Sequence, residues 1–424
     1  MTRWIEAEEA AGLLKPGMTV FVAGVTSEPR EILEALGNRS EHCAGVRFVS
    51  VTIPGINQGD FSALHQDARC TAFFATAGNR RSIADGQTEF IPMHYSSIYR
   101  YLERELKIDA AVMQLSPAGQ DGMHSLGISA DFAPAVLDKA GFIIGEVNER
   151  QPKVQDAPQL PASRLDYAVA CERPVATLAR ADIDDLTVKI GCLVAELVND
   201  GDCIQVGIGA IPDAALAALS DRNDLGIHSG MICDAVMALA SAGNVNGSRK
   251  SIDRGQIVSG ATLGSQELID WAAAAQQLSV RPVGYTHDSG VIGQIENFVS
   301  INSALEVDLF GQVNADMLGG RQVSGSGGSV DMMRGAALSP GGRSVVALGS
   351  TAGGGKISRI VATLARNAAT TALRTDIDFV VTEYGARRIR HLPVMERAAA
   401  LIEIAHPDFR DSLRAEWSDL ACNL

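Results

Sequence analysis

Aromatic side chains are scarce, 5% of 424 residues, whereas glycine is abundant at 42. That pairing points to aliphatic parallel strands joined by glycine-rich turns. Cysteine pairs are also missing. The seven cysteines (Cys43, Cys70, Cys171, Cys192, Cys203, Cys233, Cys422) are scattered, with no C-x-x-C spacing. They read as reduced, mostly buried thiols of a cytoplasmic protein. Positive charge is in deficit: 36 basic against 50 acidic residues leaves 36 − 50 = −14. Such a balance argues against nucleic acid or an anionic membrane as the main partner, and any anionic ligand must be held by local groups. No run of about 18 apolar residues escapes a charge, so no membrane span is expected. The stretch from Met1 to Ala10 carries Glu6, Glu8 and Glu9 and no apolar run, so it does not read as a signal peptide. Hydrophobic residues, by contrast, make up 46%. That is ample for a large core, in a chain long enough for two domains.

Helix-like and strand-like segments alternate along the first half. Ile5 to Leu14 reads as a helix stopped by Pro16-Gly17, and Met18 to Val25 as an apolar strand. Glu28-Pro29 opens a helix through Leu36, with Pro29 suited to an early helical position. Val46 to Ile53, Ala110 to Leu115 and Phe142 to Val147 read as further strands. Strands separated by helices imply right-handed βαβ units, hence an α/β fold with parallel sheets. Gln151 to Ser163 is polar and holds Pro152, Pro158 and Pro161. It is the expected linker, giving domains over 1–160 and 164–424. Beyond it come a helix from Asp182 to Leu197 and strands at Cys203 to Val206, Val299 to Ile301, Ser344 to Leu348 and Phe379 to Val381. A helix from Pro393 to Ala405 ends at His406-Pro407.

Several constellations are chemically suggestive. Gly207-Ile208-Gly209-Ala210-Ile211-Pro212 follows a strand and precedes a helix. It is either a tight turn or a cradle whose backbone N–H groups and helix dipole attract an anion. Pro212 stands where a dinucleotide fingerprint needs glycine. Gly349 to Lys356 fails as a P-loop, because Ser350 and Ile357 replace required residues. Lys356 and Arg359 are then point charges for a phosphate or ordinary surface charges. Ser324 to Ser329 is a second glycine cluster, either a hinge or a nest for a developing oxyanion. His228, Cys233 and Asp234 lack paired metal-ligand spacing, and no metal is expected. Glu306 and Asp308 share one face of the alternation Ser303 to Leu309, facing either solvent or a ligand.

In chain order, Gly207 to Ala214, Gly226-Ile227-His228-Ser229, Phe310-Gly311-Gln312-Val313 and Ser324 to Asp331 resemble the acetyl-CoA hydrolase/transferase family. Ser358 to Val361, Val381 to Gly385 and Ile404 to Phe409 extend the match. It is nearest to the family's 4-hydroxybutyrate CoA-transferase branch. Ser27-Glu28-Pro29 and Arg81 to Ala84 add a looser likeness in the first half.

The resemblance implies two open α/β domains of the CoA-transferase type with the active site between them, assembled as a homo-oligomer. It implies acyl-CoA and a small carboxylate as partners, with coenzyme A a substrate and no permanently bound cofactor. Carried over by position, Gly207, Ile208, Gly209, Ala210, Ile211, Asn302, Gly325 and Lys356 contact CoA, and Gly327 and Gly328 lie near the oxyanion. The implied nucleophile is a glutamate directly after His228-Ser229, but this chain has Gly230 there. Glu306 is the expected substitute, with Asp234 and Glu28 behind it. The expected activity is CoA transfer, with thioester hydrolysis or an inactive CoA-binding homologue as the other readings.

Overall fold

The computed structural model describes residues 2–53, 55–57 and 59–422. The chain forms two compact units. The first comprises Met1–Ala179, Gly230–Asp234 and Val258–Thr286; the second comprises Arg180–Ser229, Ala235–Ile257 and His287–Leu424. Among the described residues no helix is long and apolar enough to cross a membrane.

In the first unit the parallel sheet consists of β1 (Arg3–Trp4), β2 (Thr19–Val22), β3 (Arg47–Ser50), β4 (Arg69–Ala72), β5 (Thr88–Phe90), β6 (Ala110–Leu115), β7 (Phe142–Asn148) and β8 (Tyr167–Cys171). Their order is β1-β8-β7-β6-β2-β3-β4-β5, and every pairing is parallel. All six residues of β6 are buried, as expected for a central strand covered on both faces. Helix α1 (Arg30–Asn38) follows β2 and packs Ile32, Leu33 and Leu36 onto the core around Val20, Val22 and Phe48.

The expected linker is not one. Gln151 is 3% exposed, and its side chain bonds Gln114 and the Leu126 carbonyl. Gln159–Pro161 pairs antiparallel with Met123–Ser125, and β8 then completes the sheet. A polar, proline-bearing stretch separates domains only if its backbone finds no partner, and here it does. The first unit therefore runs on to Ala179.

The second unit opens with α2 (Asp185–Ala195), β9 (Cys203–Val206) and α3 (Ala210–Ala217). A Cβ on Gly191 of α2 would lie 2.6 Å from the Ala214 carbonyl carbon of α3, so the glycine permits this close packing. Then come β10 (Phe298–Ser303), β11 (Glu306–Asp308), β12 (Val313–Asn314), α4 (Ser329–Leu338), β13 (Arg343–Ala347), β14 (Ile360–Val361), β15 (Phe379–Thr382), β16 (Gly385–Arg388), α5 (Val394–Ile404) and α6 (Pro407–Ala421). Strands β9, β10, β13 and β15 pair in parallel in that order, and β16 closes the edge antiparallel. On the other side of β9 lies the start of strand Gly226–Ile232. Strand β11 sits apart in a small sheet of order β12-β11-β14. The alternation from Ser303 to Leu309 is thus broken at Ala304-Leu305, while α5 stops at Ile404, just before the expected His406-Pro407 stop, and Pro407 opens a separate helix, α6, from its first turn.

Candidate active site

In open parallel sheets, ligands gather at the carboxyl ends of strands where the strand order reverses. In the second unit the chain leaves β9 toward Gly226–Ile232 on one side and returns as β10 on the other. The reversal lies between β9 and β10. Val206, the last residue of β9, pairs with Ile301, so Gly207 to Ile211 emerge beside Asn302. Gly209 has φ +122° and caps α3, a backbone that L side chains avoid. A Cβ on Gly207 or Gly209 would meet nothing within 4 Å. The glycines therefore leave open space above the first turn of α3, and Ile208 is 37% exposed. Asn302 is held in place: its Nδ2 donates to Ser300 Oγ (2.8 Å) and Gln205 Oε1 (3.2 Å).

The glycine cluster leads into α4, which packs on β10 and β13. Gly327 has φ +60°. Gly328 has an ordinary φ of −97°, but a Cβ there would lie 2.2 Å from Nε2 of His287. That imidazole is buried, and burial pushes its pKa down to about 3, so it is neutral at physiological pH. Gly328 is thus a packing requirement as well as the N-cap of α4. The backbone N–H groups of that first turn suit a developing negative charge. Lys356 is exposed on the hairpin Thr351–Ala352/Ile357–Ser358, whose turn Gly353-Gly354-Gly355 has φ of +60°, +66° and +84°. The structure brings Gly207 to Ile211 and Asn302 together and places Lys356 on a projecting hairpin.

The two carboxylates expected to share a face have different fates. Asp308 is fully buried and accepts from the backbone N–H of Phe310 (3.1 Å) and of Gln312 (2.8 Å) and from Gln312 Nε2 (2.8 Å). It is the anchor of the turn between β11 and β12. Glu306 is half-buried and, among the described residues, accepts one bond, from Asn314 Nδ2 at 3.2 Å. The other candidates are also committed. Asp234 accepts from the Ser265 N–H (3.1 Å) and the Ser265 hydroxyl, fixing the start of helix Gln266–Ala274. Glu28 is 3% exposed with the Arg30 guanidinium 3.5 Å away. His228 is fully buried against the edge of Phe298, and no group of potential metal ligands occurs among the described residues.

One carboxylate lies inside the Val381 to Gly385 stretch of the resemblance but is assigned no role there. Glu383 directly follows β15, is 7% exposed, and accepts from the Ser350 N–H (2.8 Å) and Oγ (2.6 Å). It ties the carboxyl ends of β13 and β15 together. Its position directly after a parallel strand was the available signal.

The comparisons with known proteins bear on this arrangement. The N-terminal domain model of acetyl-CoA hydrolase/transferase matches residues 1–179, and the C-terminal domain model matches 264–417. The chain belongs to the acetyl-CoA hydrolase/transferase family. The first match ends at the residue where the first unit's long segment ends. Among curated members of the family, 4-hydroxybutyrate coenzyme A transferase of Clostridium kluyveri is 36% identical over 97% of this chain and 96% of its own. The crystal structure of RipA from Yersinia pestis superposes with TM-score 0.93 at 33% identity, covering 99% of this chain and 98% of that one. 4-Hydroxybutyrate CoA-transferase from Porphyromonas gingivalis gives TM-score 0.82 at 32% identity, over 98% and 97%.

Proposed function

We propose that this family member transfers CoA between acetyl- or succinyl-CoA and a short carboxylic acid of the 4-hydroxybutyrate, butyrate or itaconate kind, with Glu306 as nucleophile. The observation that carries the choice is the contrast on β11: Asp308 is locked by four donors, the N–H groups of Phe310, Gln312 and Leu364 and Gln312 Nε2, whereas among the described residues Glu306 keeps a half-exposed carboxylate that accepts only from Asn314. Gly230 has no side chain to acylate.

In this reading a Glu306 oxygen attacks the thioester carbonyl, the C–S bond breaks, and CoA leaves as thiolate from an acyl-glutamyl anhydride. The thiolate then attacks the glutamyl carbonyl, giving glutamyl-CoA thioester and releasing the first acid as carboxylate. The incoming carboxylate reverses both steps and leaves with CoA. Each exchange trades one activated acyl bond for another, so no ATP is needed. Gly207 to Ile211, Asn302 and Gly325 suit CoA, and the first turn of α4 beside Gly327 and Gly328 suits the oxyanion. CoA comes and goes as a substrate, and the protein works in the cytoplasm as a homo-oligomer.

Incubation with acetyl-CoA followed by borohydride or hydroxylamine should modify the peptide containing Glu306. Glu306→Gln should lower kcat by at least about a thousandfold, the scale of losing a covalent nucleophile. Full activity in that variant would end the assignment. The bare Gly230 supports a second reading, a CoA-binding homologue without turnover. It requires that no acid in a panel be converted.

A further inference from the structure

Glu306 and Asn314 are a register pair between β11 and β12, the first residue of one strand opposite the last of the other. Asn314 is 1% exposed, and both ends of its amide are used. Nδ2 donates to Glu306 Oε2 (3.2 Å) and to the Met317 carbonyl (2.8 Å). Oδ1 accepts from the N–H groups of Met317 (3.0 Å) and Asp316 (3.3 Å). These partners fix which end faces Glu306. Turned over, the amide would set its oxygen against a carboxylate and its amino group against two backbone N–H groups.

Asp316 carries the connection onward. It is 4% exposed, and its carboxylate accepts from the Thr371 hydroxyl at Oδ1 (2.6 Å) and from Gln322 Nε2 at Oδ2 (3.1 Å). The same Thr371 oxygen accepts from the Ala315 N–H (2.8 Å), so the turn is held from both sides of Ala315. The Asp316 carbonyl accepts from the N–H groups of Val323 (2.8 Å) and Ser324 (3.3 Å), and Gln322 Nε2 also donates to the Ser324 carbonyl (2.9 Å). Ser324, the first residue of the glycine cluster, is thus gripped at its N–H and at its C=O. An unbroken hydrogen-bonded path runs from Glu306 through Asn314, Asp316 and Gln322 to Ser324, all within the second unit.

Burying a carboxylate among neutral donors is costly, and apolar side chains would pack a short turn at less expense. What a fully satisfied polar network supplies instead is one defined arrangement. Here the two ends of that arrangement are the acid read as nucleophile and the loop that leads into the first turn of α4.

Resting on the reading of Glu306 as nucleophile, we propose that the Asn314–Asp316 turn is a positioning device that sets the Glu306 carboxylate and the Ser324–Gly328 loop in one fixed relation. Asn314 acts through Glu306, and Asp316 acts through Gln322 and Ser324.

The test is the half-reaction of the full-length protein with acetyl-CoA alone, which releases one acetate per site as the glutamyl-CoA thioester forms. Asn314→Asp keeps the oxygen that accepts from Asp316 and Met317 but replaces the donor facing Glu306 with an oxygen that repels it. The rate at saturating acetyl-CoA should fall about a hundredfold, the scale of a misplaced reacting group, while the concentration for half-saturation stays within about threefold. Gln322→Met cuts the path at its far end on a half-exposed residue, away from Glu306. It should lower the rate about tenfold, less than outright loss of an oxyanion donor. Because both variants break one device, the double variant should lose less than the product of the single losses. Urea midpoints establish that each variant is folded. A wild-type rate in folded Asn314→Asp or in Gln322→Met overturns the proposal. So do single losses that multiply in full, or losses that appear in half-saturation and not in rate. With the thioester mapped to Glu306, any of these outcomes sinks the positioning device alone. A thioester on another carboxylate sinks the Glu306 reading and the device with it, and no acetate release by the wild type sinks CoA transfer itself.

Discussion

At the scale of single residues, the glycines of the second unit are glycine for different reasons. Gly328 has an ordinary backbone and no room; Gly209 has room and a backbone that only glycine adopts readily. Gly328→Ala would press a methyl group into buried His287, and overpacking of this kind costs about 1–3 kcal/mol. A lower urea midpoint with unchanged slope is the expected result, and an unchanged midpoint would mean the ring moves aside freely. Asp308 is a sharper case. Asp308→Ala would strand the N–H groups of Phe310 and Gln312 in a buried turn, at a cost of about 2–4 kcal/mol. Glu306→Gln keeps an acceptor for Asn314 and should leave the same midpoint almost unmoved. The two neighbouring acids therefore separate: one variant loses stability, the other activity.

Among the secondary-structure elements, α1 is capped from an unusual direction. Its preceding residue, Pro29, provides no capping side chain. Instead Glu146, fully buried on β7, accepts from the Ile32 N–H at 3.1 Å. Burial raises this carboxyl from 4.5 to about 7, an effect partly offset by Ile32, the Cys171 thiol and the Glu31 N–H. The sign follows from proton counting. Between pH 4.5 and 7 the folded state holds a proton that the unfolded state has released, so this contribution is full below 4.5 and is lost as pH rises through 7. Asp131 acts in the same direction, whereas His287, lowered from 6.5 to about 3, loses its contribution as pH falls below 6.5. Comparing one variant with the wild type cancels those other groups. Glu146→Gln retains the acceptor for Ile32 without the charge. From pH 5 to pH 8 the wild type should lose of order 2 kcal/mol more unfolding free energy than the variant. Parallel pH profiles from urea titrations would show that Glu146 is not the group responsible.

Over the whole chain, what is legible in sequence is what periodicity and composition encode locally. The mostly apolar runs Ala110–Leu115 and Cys203–Val206, each broken by a single glutamine, are strands with the very bounds their sequence suggests. Gly226–Ile232 is just as much a strand, but His228, Ser229 and Gly230 hide it, because burial there is satisfied by tertiary partners and not by local propensity. Long-range pairing likewise turns the polar Gln151 to Ser163 from an expected linker into part of a sheet-bearing unit. The glycine-rich turn beside Asn302 was readable as a motif. The locking of Asp308, the engagement of Asp234 and the tie from Glu383 to Ser350 were not, since each depends on partners distant in sequence or on a turn that spacing does not announce.

These distinctions permit a test of the molecule as a whole that separates ligand grip from chemistry. If Gly207 to Ile211 hold CoA, the ligand binds the native state alone and stabilises it by about 2.7 kcal/mol at a hundredfold excess over Kd. Glu306→Ala should keep that rise in Tm while losing turnover. Gly209→Val forces a β-branched residue to φ +122°, so it should lower the ligand-free Tm through backbone strain and also lose most of the rise on adding CoA. An undiminished shift in Gly209→Val would move the CoA site away from the β9–α3 turn, whatever became of Glu306.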